Sequence, residues 1–318
     1  MNDRRGVPEP ATPPTKLVGG HINVGRVGIW TRQLDGVPAA VAQDAVAELE
    51  SLGFRSVWIP EAQRREVMSH AALLLAASTS IVVATGIARV HARSPQAAAL
   101  AQVMLHERFP CRFLLGLGVS HPVVVETLLG QTYGPPLATI HAYLDAVDTT
   151  IRATDPAGAH RADVRVLAAL GPKMIGLAGQ RASGIHTYLA PVEHTAWARR
   201  VMGPEAFIAP AIKVVLGADR EQAEERARGS VVPTLRLPAY RGNLHRFGFS
   251  DDEMGRRPSD RLLDALVCRG DADAIAARVR AHLDAGANHV CVEVLTGDDT
   301  TVPMDGWREL APLLTGLL

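Results

Sequence analysis

From Gly25 onward the chain alternates short apolar runs with longer Ala/Leu-rich stretches that carry an apolar stripe at helical spacing. Gly25–Trp30 reads as a first strand, and Pro38 opens a helix in which Val41, Ala45, Leu49 and Leu52 follow a 3.6-residue period until Gly53 closes it. Val57–Pro60 is a second strand, followed by a helix around His70–Ala77, and the β-branched run Ile81–Ile87 is a third strand. Ser94 and Pro95 read as N-cap and first-turn residue of the helix that carries Leu100, Met104 and Leu105. Phe113–Leu117 is a fourth strand, and a helix from about Leu137 to Ile151 leads to Val164–Leu170, the fifth. Gly171-Pro172 breaks that run, the helix Lys173–Arg181 follows, and Gly184–Leu189 is the sixth strand. Glu193–Val201 is a helix, Phe207–Leu216 the seventh strand, Asp273–Ala285 a helix, Asn288–Leu295 the eighth strand, and Trp307–Leu314 a closing helix.

Eight strands alternating with helices predict an α/β fold, a (β/α)8 TIM barrel, with a doubly wound open sheet as the competing architecture because periodicity does not show closure. Residues 229–265 are too long a connection for one helix and predict an insertion of short helices between strands seven and eight, placed to act as a lid. Residues 1–22, rich in Pro, Gly and Thr, predict a poorly ordered tail, leaving 23–318 as a single domain.

A formal net charge of zero and few aromatic residues argue against a nucleic-acid surface or an acidic membrane as partner. Cys111, Cys268 and Cys291 are far apart and give no metal-site spacing, which fits a reduced, cytoplasmic setting and predicts no bound metal. No apolar run approaches the roughly 20 residues of a membrane span, and the N-terminus lacks the apolar segment of a signal peptide. There is no GxGxxG after the first strand and no Walker A, GxSxG or HExxH motif. One turn has a readable chemistry of its own. Gly171-Pro172, between strand and helix, would leave backbone N–H groups at a helix N-terminus, where a phosphate is favoured; a simple strand terminator is the other reading.

The blocks VGIW (27–30), SVWIPE (56–61), IVVATGIARVHARSP (81–95), RFLLGLGVSHP (112–122), LAALGPKMIGLA (167–178) and GIHTYLAPVEHT (184–195), in this order, resemble the luciferase-like monooxygenase superfamily. They are most similar to its branch of coenzyme F420-dependent oxidoreductases. The resemblance covers about residues 24–315 and implies a deazaflavin, coenzyme F420, or else FMN, bound across the carboxyl end of the barrel. It implies hydride transfer with a small organic substrate, with flavin monooxygenation as the first alternative and a cofactor-free binding protein as the second. It also implies a homodimer, through helices early in the chain. Carried over by position, it implies a non-prolyl cis peptide at Gly86–Ile87, next to Thr85, behind the cofactor ring. Gly116 and Gly118 would let the ring lie against backbone, and Ser120 would bond its polar atoms or cap a helix. Gly171, Pro172, Lys173, Met174, Thr187 and Tyr188 would hold the phosphate. Glu61, His91 and His121 are the candidate catalytic groups, Glu61 as an acid or base or else in a salt bridge to Arg64, Arg65 or Arg89. Trp30 and His186 are further mouth-side candidates, and Arg64 and Arg65 would alter the pocket if they turned into it.

Overall fold

A computed structural model describes residues 16–62, 64–158, 164–217 and 219–317. Among them, strands β1 (Val27–Trp30), β2 (Ser56–Ile59), β3 (Val82–Thr85), β4 (Ala88–Arg89), β5 (Phe113–Gly118), β6 (Arg165–Ala168), β7 (Gly184–Tyr188), β8 (Phe207–Leu216), β9 (Val267–Gly270) and β10 (Val290–Val294) form one sheet. All named pairings are parallel, and β10 bonds to both β8 and β1, so eight strands close into a barrel in the order β1, β2, β3, β5, β6, β7, β8, β10. This is the (β/α)8 barrel, and closure excludes the open sheet. The two-residue β4 extends β3 across the Gly86–Ile87 segment and pairs with β5, while β9 lies outside the barrel on β8. Neither short strand stands out in the hydrophobic pattern.

Parallel strands covered on both faces need apolar residues on both, and their alternation divides them into two cores. Ile29, Val57, Val83, Leu115, Leu167, Ile185 and Val292 point outward against the helices. Those helices include α2 (Ala39–Ser51, preceded by the single turn α1, Gln33–Gly36), α3 (Val67–Ala76), α4 (Pro95–Arg108), α5 (Pro136–Thr154), α6 (Pro172–Arg181) and α7 (Val192–Met202). Trp30, Trp58, Ala84, Leu114, Val166, Phe207 and Cys291 fill the interior. Ser94 caps α4 through Ala97 N, and Gly53 leaves α2 with φ +92°, as the sequence implies.

The interior core also takes in Val18, Ile22 and Val24. Residues 18–22 form a tight turn with Val18 N donating to Ile22 O at 2.9 Å, and both side chains are fully buried. The expected disordered tail 1–22 is therefore corrected at its end: residues from Lys16 fold against the barrel, and 1–15 lie outside the described residues. The physical reason is that two apolar side chains on a short turn suffice to stop the amino-terminal end of a barrel this narrow.

The expected insertion also differs. Its predicted start at 229 falls inside α8 (Arg220–Leu235), a helix that tolerates Gly229 on an exposed face and Pro233 in its last turn. Then come α9 (Pro238–Arg246) and α10 (Asp260–Leu266) before β9. Ala223, Ala227, Val231, Tyr240, Leu244, Phe249 and Leu263 build a separate apolar cluster that joins the barrel at Leu189, Val215 and Leu295. These three lie at or just beyond the carboxyl ends of β7, β8 and β10, so the insertion caps that end. The chain finishes with α11 (Ala272–Asp284), β10 and α12 (Met304–Thr315). No helix among the described residues is long and apolar enough to cross a membrane.

Candidate active site

Barrel loops after the strand carboxyl ends share one rim, and every predicted site residue lies on it or one layer below. At the end of β3 the Gly86–Ile87 peptide is cis, as the resemblance implies. Trp30, the last residue of β1, donates from Nε1 to Gly86 O at 2.9 Å, and a side chain on Gly86 would meet that nitrogen at 2.7 Å. Thr85 is fully buried and committed: its hydroxyl donates to Gly116 O and accepts from Gly116 N, both at 2.8 Å. It locks β3 to β5 and offers nothing to a ligand.

The two glycines of β5 have a different reason from the expected one. A Cβ on Gly116 would stand 2.1 Å from Thr85 O, and one on Gly118 would stand 2.8 Å from Ile87 Cδ1 and 3.1 Å from Ala168 Cβ. They make room for the neighbouring strands and for Ile87, rather than leaving bare backbone for a ring. Ser120 has φ +60° and its hydroxyl has no partner among the described residues. It caps no helix: the helical turn that follows starts at Pro122, and Val124 and Val125 N–H donate to His121 O.

Glu61 follows β2. Its Oε2 accepts from Arg89 N at 2.7 Å and its Oε1 is paired with Arg93, both side chains being about 8% exposed. Its own N–H donates to Ile87 O at 3.1 Å. With both oxygens held, Glu61 clamps the 87–93 segment and is not placed as a free acid or base; the partner is Arg93, not Arg64, Arg65 or Arg89 side chains. Arg64 and Arg65 turn away from the rim: their guanidinium groups donate to Gly36 O and to Leu34 O and Val37 O.

His91 stacks on Tyr133 with centroids 5.8 Å apart, and His121 tilts against Tyr240 of α9 at 5.5 Å. Burial lowers the pKa of each, with Arg89 adding to the effect at His121. Both are thus held toward neutral imidazole, and His121 links the β5 rim to the cap. His186 is not at the mouth. It lies one layer down, stacked on Trp58 at 4.6 Å, with Nδ1 2.9 Å from Ala209 O and a pKa lowered to about 3 by burial.

Gly171 is the N-cap of α6, with no side-chain cap and open space where its Cβ would be. Pro172 and Lys173 are exposed in the first turn, and Met174 is half-buried. Thr187 is buried with an unpartnered hydroxyl. Tyr188 does not point to this turn. Its ring packs on Trp30 at 5.0 Å and its hydroxyl donates to Glu293 Oε2 at 2.9 Å. The structure thus brings together Glu61, Gly86, Ile87 and, through Arg89, His121; the α6 N-terminus after β6 forms the next sector of the rim, and Tyr188 of the adjacent β7 turns instead toward Glu293 of β10.

The β8–β10 sector carries residues that the sequence alone does not single out. Lys213 of β8 and Glu293 of β10 are register partners with Nζ to Oε2 3.1 Å, 3% and 1% exposed. Burial pulls the Lys213 pKa down against the upward pull of Glu293, and burial together with Glu293 holds Tyr188 well above its ordinary value. The signal was a lone charge inside each of two apolar strands, at inward parity.

A flavin-like cofactor fits this rim by two observations: the open, uncapped α6 N-terminus, and the buried, unpartnered hydroxyl of Thr187. No group of metal-ligating side chains occurs among the described residues. A Mycobacterium tuberculosis protein that bears the name of a coenzyme F420-dependent oxidoreductase is 29% identical over 170 residues, 53% of this chain. The match spans 45% of that protein, less than half its length. The coenzyme F420-dependent tetrahydromethanopterin reductase of Methanopyrus kandleri superposes with a TM-score of 0.71 at 15% identity, over 92% of this chain and 98% of that one. The oxygenating constituent of 3,6-diketocamphane monooxygenase of Pseudomonas putida, in complex with FMN, superposes with a TM-score of 0.66 at 14% identity, over 91% and 96%. These two likenesses establish the fold. The model of the luciferase-like monooxygenase family matches residues 26–289, most of the chain, and the protein belongs to that family.

Proposed function

We propose that this chain is an oxidoreductase that transfers a hydride between bound coenzyme F420 and a small organic substrate. The observation that carries the reading is the rim itself: an uncapped helix N-terminus at Gly171 after β6 and, beginning two strands on, a buried donor–acceptor cluster on β8 and β10. The similarity to the mycobacterial protein named for F420 supports the choice of cofactor. When bound, the deazaflavin supplies two-electron hydride chemistry without a stable oxygen adduct. The backbone N–H groups of Lys173 and Met174 would hold a phosphate, with the helix dipole adding to the attraction. Ser120 and Thr187 would bond polar atoms of the cofactor. Glu61 and Arg93 keep the Ile87 segment in place, and the cap of α8–α10 lies over the mouth.

Titrating the full-length protein with F420 and with FMN, each followed by fluorescence quenching, tests the reading. F420 binding is expected. FMN binding with substrate-dependent oxygen consumption would favour a flavin monooxygenase, and binding of neither would leave a cofactor-free protein. Exposed Val41 on α2 and Leu100 and Met104 on α4 support a homodimer through these helices, which sedimentation of Met104→Glu against wild type would check.

A further inference from the structure

The chain draws its cations almost entirely from arginine; its lysines are Lys16, Lys173 and Lys213. Lys16 is tied at the surface to Pro204 O and Glu205, and Lys173 is exposed at the start of α6. Lys213 alone of these is buried, and it lies at the inward-facing top of a barrel strand. Its Nζ stands 4.9 Å over the Tyr188 ring and 3.1 Å from Glu293 Oε2, the oxygen that also accepts the Tyr188 hydroxyl. An ammonium group has three N–H donors. Among the described residues only Glu293 takes one.

Lys213 and Glu293 line a cleft of about 640 Å³, walled by Arg32 after β1, by Asp298 and Asp299 after β10 and by Glu225 and Arg226 on α8, so that its wall charges of both signs offset one another. That volume suits a small molecule. The form of the donor narrows what it takes. A guanidinium fork matches the two oxygens of a carboxylate, whereas a lysine offers a point donor to a single oxygen. Glu293 already balances the Lys213 charge, so the floor of the cleft rewards a neutral hydrogen-bond acceptor more than an anion. Tyr188 connects this floor through Trp30 to Gly86 O, and hence to the segment where the cofactor ring is expected.

We propose that Lys213 is a catalytic residue that binds the oxygen of a small neutral ketone or its alcohol, reached through this cleft, with Glu293 and Tyr188 as positioning residues. The inference rests on the hydride-transfer reading above. In the reducing direction the carbonyl carbon receives a hydride, with both its electrons, from the two-electron carrier, and the carbonyl π pair moves to oxygen. That oxygen takes a proton from the Lys213 ammonium, leaving the amine, which regains a proton from water in the cleft. The ketone gains two electrons and two hydrogens, and the carrier loses the same two electrons.

The test uses full-length protein labelled with carbon-13 and nitrogen-15 at the lysine side chains, so that each lysine gives its own signal. Lys16→Arg and Lys173→Arg assign the remaining one to Lys213. A panel of ketones and secondary alcohols from butan-2-one and butan-2-ol upward is titrated in, with propionate as the anionic control. The expected result is a saturable shift of the Lys213 signal alone, from ketone or alcohol and not from propionate. Silence across the panel overturns the assignment, and so does a saturable shift from propionate only. Charged and titratable groups that act on Lys213 are Glu293, Arg32, Asp299 and the Tyr188 ring, and Asp298, Glu225 and Arg226 face the same cleft. Glu293→Gln is therefore expected to move the Lys213 titration midpoint downward without altering the other two signals; an unmoved midpoint removes Glu293 from the site. F420 and FMN quenching on the same samples separates the two levels. Cofactor binding with a silent Lys213 defeats only this inference, while binding of neither cofactor defeats the oxidoreductase reading on which it stands. Lys213→Met is expected to keep the cofactor dissociation constant within threefold; a tenfold weakening would place Lys213 in the cofactor site instead and overturn the proposal.

Discussion

Lowering the pH from 7 to 5 is expected to destabilise this protein far more than its balanced charge suggests. His186, His282 and His289 are 3%, 1% and 0% exposed, and burial lowers their pKa values to about 3, about 3 and about 4, from 6.5. The hydrogen bonds explain why the neutral form is built in. His289 donates from Nδ1 to Gly25 O and accepts from Trp58 Nε1 at Nε2, so a proton on Nε2 would set two donors against each other. Each folded value lies below the unfolded one, so below pH 6.5 the unfolded chain binds the extra protons. Stability is complete above that pH and falls as the pH drops toward the folded values. At about 1.36 kcal/mol per unit for each histidine, the three together cost about 6 kcal/mol at pH 5, against a usual total of roughly 5–15 kcal/mol. His70 and His194, lowered to about 4, act in the same direction. Urea unfolding at pH 7, 6 and 5 gives the measurement, and His282→Gln is expected to reduce the difference between pH 7 and 5 by about 2 kcal/mol. A difference below about 2 kcal/mol between pH 7 and 5 would refute the reasoning, because it would mean that these rings titrate in the fold nearly as they do in water.

Three further outcomes are expected. Gly116→Ala drives a methyl group to within 2.1 Å of Thr85 O and is expected to leave little folded protein by circular dichroism, whereas Gly171→Ala, with open space and φ −98°, keeps the melting temperature within about 2 °C. Arg93→Met strands the buried Glu61 carboxylate and is expected to cost about 3 kcal/mol in urea unfolding, with Glu61→Gln/Arg93→Met recovering part of the loss. Removal of residues 1–22 uncovers the amino-terminal end of the barrel by taking away the fully buried Val18 and Ile22, and is expected to lower stability by about 3–5 kcal/mol in urea unfolding.

The barrel strands were legible because each is a β-branched or leucine run bounded by Gly, Pro or Ser, and their order follows from alternation with helices. The Gly86–Ile87 geometry followed from resemblance alone; nothing in the hydrophobic pattern distinguishes that pair. Closure of the interior by Val18 and Ile22 was hidden, since two apolar residues in a stretch of Pro, Gly and Thr carry no period. α8 was divided at Gly229 because Gly and Pro weigh against helix locally, while Ala223, Ala227 and Val231 bury one face of it and prevail. The rim shows the same limit. Gly116 and Gly118 look like cofactor cradles in one dimension and prove to be clearances for Thr85 and Ile87 in three. Lys213 and Glu293 are 80 positions apart, and only the pairing of the seventh and eighth barrel strands makes them one group.

The helices α8 to α10 carry their own apolar cluster and meet the barrel mainly through Leu189, Val215 and Leu295. Such a segment is nearly a self-contained module set on a standard base. A change inside it can reshape the wall of the cleft at Arg226 or the contact of Tyr240 with His121 while the barrel layers that hold the strands together stay as they are. Selectivity and foldability are thereby assigned to different parts of one chain. Exchanging residues 220–266 between relatives of this fold is accordingly the most direct way to transplant a substrate preference without rebuilding the barrel beneath it.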